Sequence, residues 1–155
     1  RDFLRIAGVP VGKEIPENKV WAKAGRKGQD TGSIIIAVAT DAPLVAHQLK
    51  RLARRAALGL ARTGTISGNG SGDIFIAFST ANPHAADPAG LRHLEMVPND
   101  QMDPLFEATV EATEEAIVNA MVGAETMTGI NDHWVEALPH ARLREVLKKY
   151  NRLAH

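Results

Sequence analysis

Three residues in this chain have the type and setting for hydrolytic chemistry: Ser33, Ser71 and Asp73. Ser33 follows Gly32, where a polar, Gly- and Lys-rich stretch gives way to the apolar run Ile34-Ile35-Ile36-Ala37-Val38-Ala39. Taken alone, the Gly32-Ser33 step has two readings. It is an ordinary loop-to-strand junction, since Gly-Ser is a common loop dipeptide. It is also a place where the Ser33 hydroxyl could attack the Gly32 carbonyl and free Ser33 as a new amino terminus. Glycine on the acyl side helps the peptide bend for N-to-O transfer, which a β-branched residue would resist. A freed Ser33 amine would have an ordinary pKa of about 7.7–8.0, close enough to neutrality to serve as the base for its own hydroxyl.

Ser71 and Asp73 lie in the segment Gly64-Thr65-Ile66-Ser67-Gly68-Asn69-Gly70-Ser71-Gly72-Asp73, which has four glycines in ten positions. The segment follows a predicted helix and opens a predicted strand. A phosphate-binding glycine turn runs the other way, from strand to helix, so that the helix N-terminus meets the phosphate. The same order argues against a nucleophile elbow at Gly70-Ser71-Gly72. Two readings remain: a tight turn in which Ser71 and Asp73 form local Asx or ST contacts, or a loop that lets backbone N–H groups and the Ser71 hydroxyl approach a reacting group. Asn69, Gly70 and Gly72 are candidates for support. Asn69 could donate to the site or simply tolerate left-handed backbone.

The elements that must position these groups follow from the pattern. Residues 2–11 alternate loosely and predict a short strand ending near Gly8-Val9-Pro10. Residues 12–32 have no periodicity, and an aperiodic loop of that length in a compact domain is usually functional or disordered; residues 13–32 are expected to be mobile or poorly packed. Residues 33–40 predict a strand buried on both faces. Asp41 and Pro43 predict a helix start by N-cap and N1 preferences. That helix runs to about Thr63 with an apolar stripe at Val45, Leu49, Leu52, Ala56 and Leu60, and Gly64 ends it. Its Lys50, Arg51, Arg54, Arg55 and Arg62 predict a solvated face or an intersubunit contact. Residues 74–80 predict a second strand. Asp103-Pro104 repeats the cap-and-proline device for a helix to about Val122, with Leu105, Val110, Thr113, Ile117 and Met121 inward. Residues 123–138 predict loop, and Pro139 opens a last helix to Leu153.

Composition narrows the function classes. The chain has 155 residues, 45% apolar and 23% charged, with a formal net charge of zero. It is long enough for one domain with a core. A neutral chain has no field to steer it to nucleic acid or an anionic membrane. With no cysteine, disulfides, thiolate metal sites and Cys nucleophiles drop out. The six histidines show no metal-ligand spacing, so no metal or organic cofactor is expected. No apolar run reaches the roughly 20 residues of a membrane span. Starting at Arg1 with no leader pattern, the chain reads as the later part of something longer, with a cytoplasmic location favoured.

Several stretches together resemble one family: Asp30-Thr31-Gly32-Ser33-Ile34-Ile35-Ile36, Ala39-Thr40-Asp41-Ala42-Pro43-Leu44, His47-Gln48-Leu49-Lys50-Arg51-Leu52, Ser67-Gly68-Asn69-Gly70-Ser71-Gly72-Asp73-Ile74, Ala77-Phe78-Ser79-Thr80-Ala81-Asn82 and Glu125-Thr126-Met127-Thr128-Gly129. They are similar to the DmpA-type aminopeptidases, which comprise L-aminopeptidase/D-amidase-esterases and β-peptidyl aminopeptidases. The resemblance implies an α+β fold, an αββα sandwich like that of N-terminal-nucleophile hydrolases, incomplete in this chain. It implies a precursor that cuts itself between Gly32 and Ser33. Residues 1–32 would be the tail of an α subunit and residues 33–155 the β subunit. Ser33 matches the nucleophile, and Ser71 and Asp73 match the family's second serine and acidic residue, assisting proton transfer and holding the Ser33 hydroxyl and amine. The implied partners are the rest of the α subunit, further copies of the αβ unit in a homo-oligomer, and a small peptide, amide or ester substrate. The family's oxyanion-hole Asn and a supporting Tyr would fall before Arg1, so this chain alone is expected to be a poor or dead enzyme. Two other readings stay open: a self-processing acyltransferase similar to ornithine acetyltransferases, against which Ser rather than Thr at position 33 argues, and a non-catalytic module on the same fold.

Overall fold

The structure, a computed structural model, describes residues 2–17, 32–132 and 134–153. Its centre is a strand–helix–strand unit. Strand β1 (Ile35–Thr40) leads to helix α2 (Ala46–Arg62), which returns to strand β2 (Ile74–Ser79). The two strands pair in parallel, Ile35 opposite Ile74 through Thr40 opposite Ser79. Helix α3 (Asp103–Gly123) packs on α2. Before this unit lies a single helical turn, α1 (Val11–Glu14); after it come the two-residue strands β3 (Met127–Thr128) and β4 (Trp134–Val135), antiparallel to each other, and helix α4 (His140–Lys149).

Two apolar clusters hold these elements. Leu44, Leu52, Met102 and Phe106 form one, with Val38 of β1 and Ala77 of β2 packed on it. Ile6, Val9, Val11, Ile15, Leu143 and Val146 form the other, joining the N-terminal segment to α4. The α2 stripe behaves as its period requires: Leu52, Ala56 and Leu60 are buried. The Arg55 and Arg51 guanidinium carbons stand over the Phe106 ring, 3.7 and 5.0 Å from its centroid, so part of the basic face covers an aromatic ring.

Helices α2 and α3 approach so closely at Gly59 that a side chain has no room. A Cβ there would lie 2.4 Å from the Val110 carbonyl oxygen and 2.6 Å from Thr113 Cβ. Gly59→Ala gains helix propensity, yet the neighbour it meets is backbone and cannot swing away. We expect a net destabilisation of about 1–3 kcal/mol, measured by denaturant unfolding; a variant at least as stable as wild type would show that the crossing is looser than this geometry.

Several sequence expectations need correction. β1 begins at Ile35 and is covered on one face only. Ile35, Ile74, Ile76 and Phe78 are 74, 58, 56 and 48% exposed, because α2 packs on the opposite face and no described element lies over theirs. The 2–11 strand is instead one bridge, Ile6 to Val9, closed by a turn with Ala7 and Gly8 at φ 50 and 77°. Helix α2 starts at Ala46, not at Asp41-Pro43. Thr40 Oγ1 accepts the Ala42 N–H and the Pro43 carbonyl accepts the Val97 N–H, which keeps that stretch out of the helix. Gln48 then takes over the helix start. Its Oε1 accepts the Val45 N–H at 3.3 Å, while its buried Nε2 donates to the Val97 carbonyl at 2.7 Å. Asp103 is the first residue of α3 and makes no capping bond. Residues 123–138 contain the β3–β4 pair, and α4 stops at Lys149. Of the 13–32 approach, residues 18–31 lie outside the described residues. Within residues 13–17 two positions are anchored: Ile15 is buried, and Glu14 accepts hydrogen bonds from Lys149 Nζ and Tyr150 OH, while Lys13, Pro16 and Glu17 are exposed.

Candidate active site

Parallel pairing decides where the polar groups meet. Parallel strands have their N-terminal ends at the same edge, so the residues entering β1 and β2 become neighbours. Ser33 and Asp73 each stand just before a strand, 40 positions apart in sequence. The Ile74 N–H donates to the Ile34 carbonyl at 2.9 Å, which fixes the register at this edge.

The Asp73 carboxylate is the hub. Its Oδ1 accepts the Ser71 hydroxyl at 2.6 Å and the Ile34 N–H at 3.1 Å. Its Oδ2 accepts the Ser67 hydroxyl at 3.0 Å. The Ser71 hydroxyl holds the Asp73 carboxyl below its ordinary pKa of 3.8; desolvation opposes this, and the Ile34 N–H and Ser67 hydroxyl add to the lowering. Donors satisfy the ionised form, so Asp73 is a fixed negative charge at neutral pH.

Ser33 joins this cluster through the main chain. The Gly72 N–H donates to Ser33 Oγ at 2.9 Å. This amide sits between Ser71 and Asp73, so the turn that carries the serine–carboxylate pair also fixes the Ser33 hydroxyl. A donor at Oγ stabilises negative charge as it develops there. The turn itself is closed by the Ser71 N–H on the Gly68 carbonyl at 2.8 Å. Asn69 and Gly70 occupy its exposed tip. Thus Ser33, Ser71, Asp73 and Gly72 are brought together, whereas the Asn69 side chain forms no part of the Asp73 hydrogen-bond set.

Gly72, a candidate for support from the sequence, enters through its amide, whereas two contributors escaped the sequence reading: the Ile34 amide and the Ser67 hydroxyl. Backbone donors have no residue-type signal, and Ser67 reaches Asp73 across a turn whose path the sequence does not reveal.

This arrangement can be set beside known proteins. The model of peptidase family S58 matches residues 1–135. The chain belongs to this family. Among curated relatives, this S58 chain is 49% identical over 164 residues to the β-peptidyl aminopeptidase BapA of Sphingosinicella microcystinivorans, covering 99% of the chain and 41% of that protein. It is similar to the solved L-aminopeptidase D-Ala-esterase/amidase of Ochrobactrum anthropi, with 49% identity and a TM-score of 0.84 over 99% of the chain and 41% of that structure. A Pyrococcus horikoshii protein gives 46% identity and a TM-score of 0.85, over 98% of the chain and 40% of that structure. The Ochrobactrum enzyme is described as a prototype for the serine aminopeptidases and a new variant of the Ntn hydrolase fold. The expected α+β fold of that type therefore stands. The S58 chain spans about two fifths of the length of the relatives it matches. Among the described residues, no helix is long and apolar enough to cross a membrane.

Proposed function

We propose that the full-length protein carrying this chain is a self-processing serine aminopeptidase. It cuts its own Gly32–Ser33 bond and then hydrolyses N-terminal residues from small peptides, amides or esters. The observation that carries this reading is the placement of Ser33 Oγ at the mouth of β1, on the Gly72 amide, against the ionised Asp73–Ser71 pair.

The chemistry has two stages. In the first, Ser33 Oγ attacks the Gly32 carbonyl carbon and its proton passes to the departing Ser33 nitrogen. The amide becomes an ester and the Ser33 amine is freed; water then hydrolyses the ester to a Gly32 carboxylate and the Ser33 hydroxyl. In the second, that amine takes the hydroxyl proton as Oγ attacks the substrate carbonyl. The proton leaves with the amine or alcohol product, and water releases the acyl group from Ser33. Asp73 is held ionised by three donors and is a weak base, so it orients the Ser71 hydroxyl and the strand entry and supplies charge. The base is the Ser33 amine.

In this reading residues 33–155 are the β subunit and residues 1–32 end the α subunit. The rest of the α subunit, which lies outside this chain, covers the apolar face of Ile35, Ile74, Ile76 and Phe78 and brings the oxyanion donors. Four large apolar side chains exposed side by side on a two-stranded sheet support such a partner. The αβ units assemble further into a homo-oligomer.

The test is intact mass and N-terminal sequencing of the full-length product, with an assay on aminoacyl anilides and esters of α- and β-amino acids. A fragment beginning at Ser33 and release of the N-terminal residue are expected. A single uncut chain that hydrolyses none of these would overturn the proposal.

A further inference from the structure

The Asp73 carboxylate is held by donors from three separate places: Ile34 at the entry to β1, Ser71 in the glycine turn, and Ser67 before that turn. Two of them share Oδ1. The torsion about an Asp Cβ–Cγ bond is broad and has no sharp staggered preference. With Oδ1 pinned alone, the carboxylate plane can still swing about that contact. Ser67 holds the other oxygen.

Ser67 reaches it from an unusual backbone. Its φ is 45°, in the left-handed region that Gly and Asn enter more readily than other residues. The Thr65 Oγ1 accepts the Ser67 N–H at 3.2 Å, which supports this bend locally. The bend aims the hydroxyl across the turn at Asp73 Oδ2. A turn alone would be satisfied by glycine at this position; the hydroxyl adds the third anchor.

We infer that Ser67 is a positioning residue for catalysis, setting the plane of the Asp73 carboxylate and through it the direction of the Ser71 hydroxyl. This rests on the reading of Ser33 and Asp73 given under Proposed function. The Ser67 hydroxyl bonds to Asp73, while the Ser33 hydroxyl is held by the Gly72 amide. Its influence falls on how well the pair is aligned in the transition state, hence on kcat more than on KM.

The test uses the full-length protein with two variants, Ser67→Ala and Ser67→Gly. Alanine removes the hydroxyl and keeps the strained backbone. Glycine removes the hydroxyl and relieves the strain, so it guards against a folding failure. Turnover is counted per Ser33-terminated chain, which separates catalysis from self-cleavage. We expect kcat to fall about tenfold in both variants, the effect of one hydrogen bond to a charged group, with KM changed less than about twofold. A fall in the alanine variant with wild-type kcat in the glycine variant would show that only backbone conformation matters, and would overturn the inference. So would a rise in KM at unchanged kcat. An inert wild-type protein overturns the underlying aminopeptidase reading, and this inference with it. An active wild type with unchanged kcat in both variants overturns the placement of Ser67 alone.

Discussion

Replacing Ser33 by alanine in the full-length protein is expected to leave one uncut chain and to lower hydrolysis by about 10⁵-fold or more, the scale seen when a serine nucleophile is removed. The physical reason is that, in the proposed mechanism, one oxygen serves both stages. Without Oγ the Gly32 carbonyl has no intramolecular attacker, so no free amine forms. Without the amine, the nearby carboxylate is a poor substitute base, because the donors on Asp73 lower its pKa below the ordinary 3.8. The fold should not suffer. The substitution removes the acceptor of the Gly72 N–H, and this amide is exposed and can turn to water instead. The change in unfolding free energy is expected to stay within about 0.5 kcal/mol. Intact mass, N-terminal sequencing and thermal unfolding on the same sample check all three parts. Normal cleavage in Ser33→Ala would remove Ser33 from the mechanism.

The second large effect is expected at Asp73. Asp73→Asn keeps the shape but offers one acceptor oxygen and one amide donor where the carboxylate offered two acceptors. If the oxygen keeps the Ser71 and Ile34 donors, the amide faces the Ser67 hydroxyl, which can rotate and accept. Geometry then survives while the charge disappears. We expect kcat/KM to fall about 10²–10⁴-fold, the range found for orienting and charge-stabilising groups in related chemistry. Asp73→Ala should be more severe, since it also leaves the Ile34 N–H without its partner. A kcat/KM within about threefold of wild type in Asp73→Asn would show that the carboxylate charge is not used.

The pH dependence follows from the same hydrogen bonds. The Ser71 hydroxyl, with the Ile34 and Ser67 donors, lowers the folded-state pKa of Asp73 below its ordinary 3.8. A depressed carboxylate stabilises the folded state above the unfolded pKa, and that contribution is lost as pH falls through the folded value. Asp73 is thus ionised throughout the neutral range and does not produce a pH limb there. Activity should instead rise with pH as the Ser33 amine loses its proton, around the ordinary amine value of about 7.7–8.0. Asp73→Asn should keep this limb with a lower plateau. A limb that disappears in Asp73→Asn would place the base on Asp73.

How much of this was legible beforehand is clearest at particular residues. The α2 stripe and the Gly64 stop were readable because helix periodicity and a residue at φ 105° are local properties. The start of α2 was not, because Val97, about fifty residues away, holds the Pro43 carbonyl and shifts the cap to Val45 and Gln48. The run from Ile34 to Ala39 read as doubly buried because its apolar residues do not alternate. Composition shows that both faces are fit for burial, not which elements cover them. The meeting of Ile6 with Leu143 in one cluster was likewise invisible, since their segments lie near opposite ends of the chain and are joined by packing and by the bonds of Glu14 to Lys149 and Tyr150.

The sequence by itself determined the chemical inventory: a serine after glycine at a strand mouth, a second serine and an aspartate in a glycine turn, and no cysteine. Long matching stretches around them carried the family. Only the tertiary structure decided how those residues meet. Parallel pairing of β1 and β2 puts their entries at one edge, and the glycine turn then aims the Gly72 amide at Ser33 Oγ and the Ser67 and Ser71 hydroxyls at Asp73. The reason is physical. Side-chain type fixes what a group can donate or accept, whereas hydrogen bonds between groups 39 positions apart depend on strand register and on amides that carry no residue-specific mark.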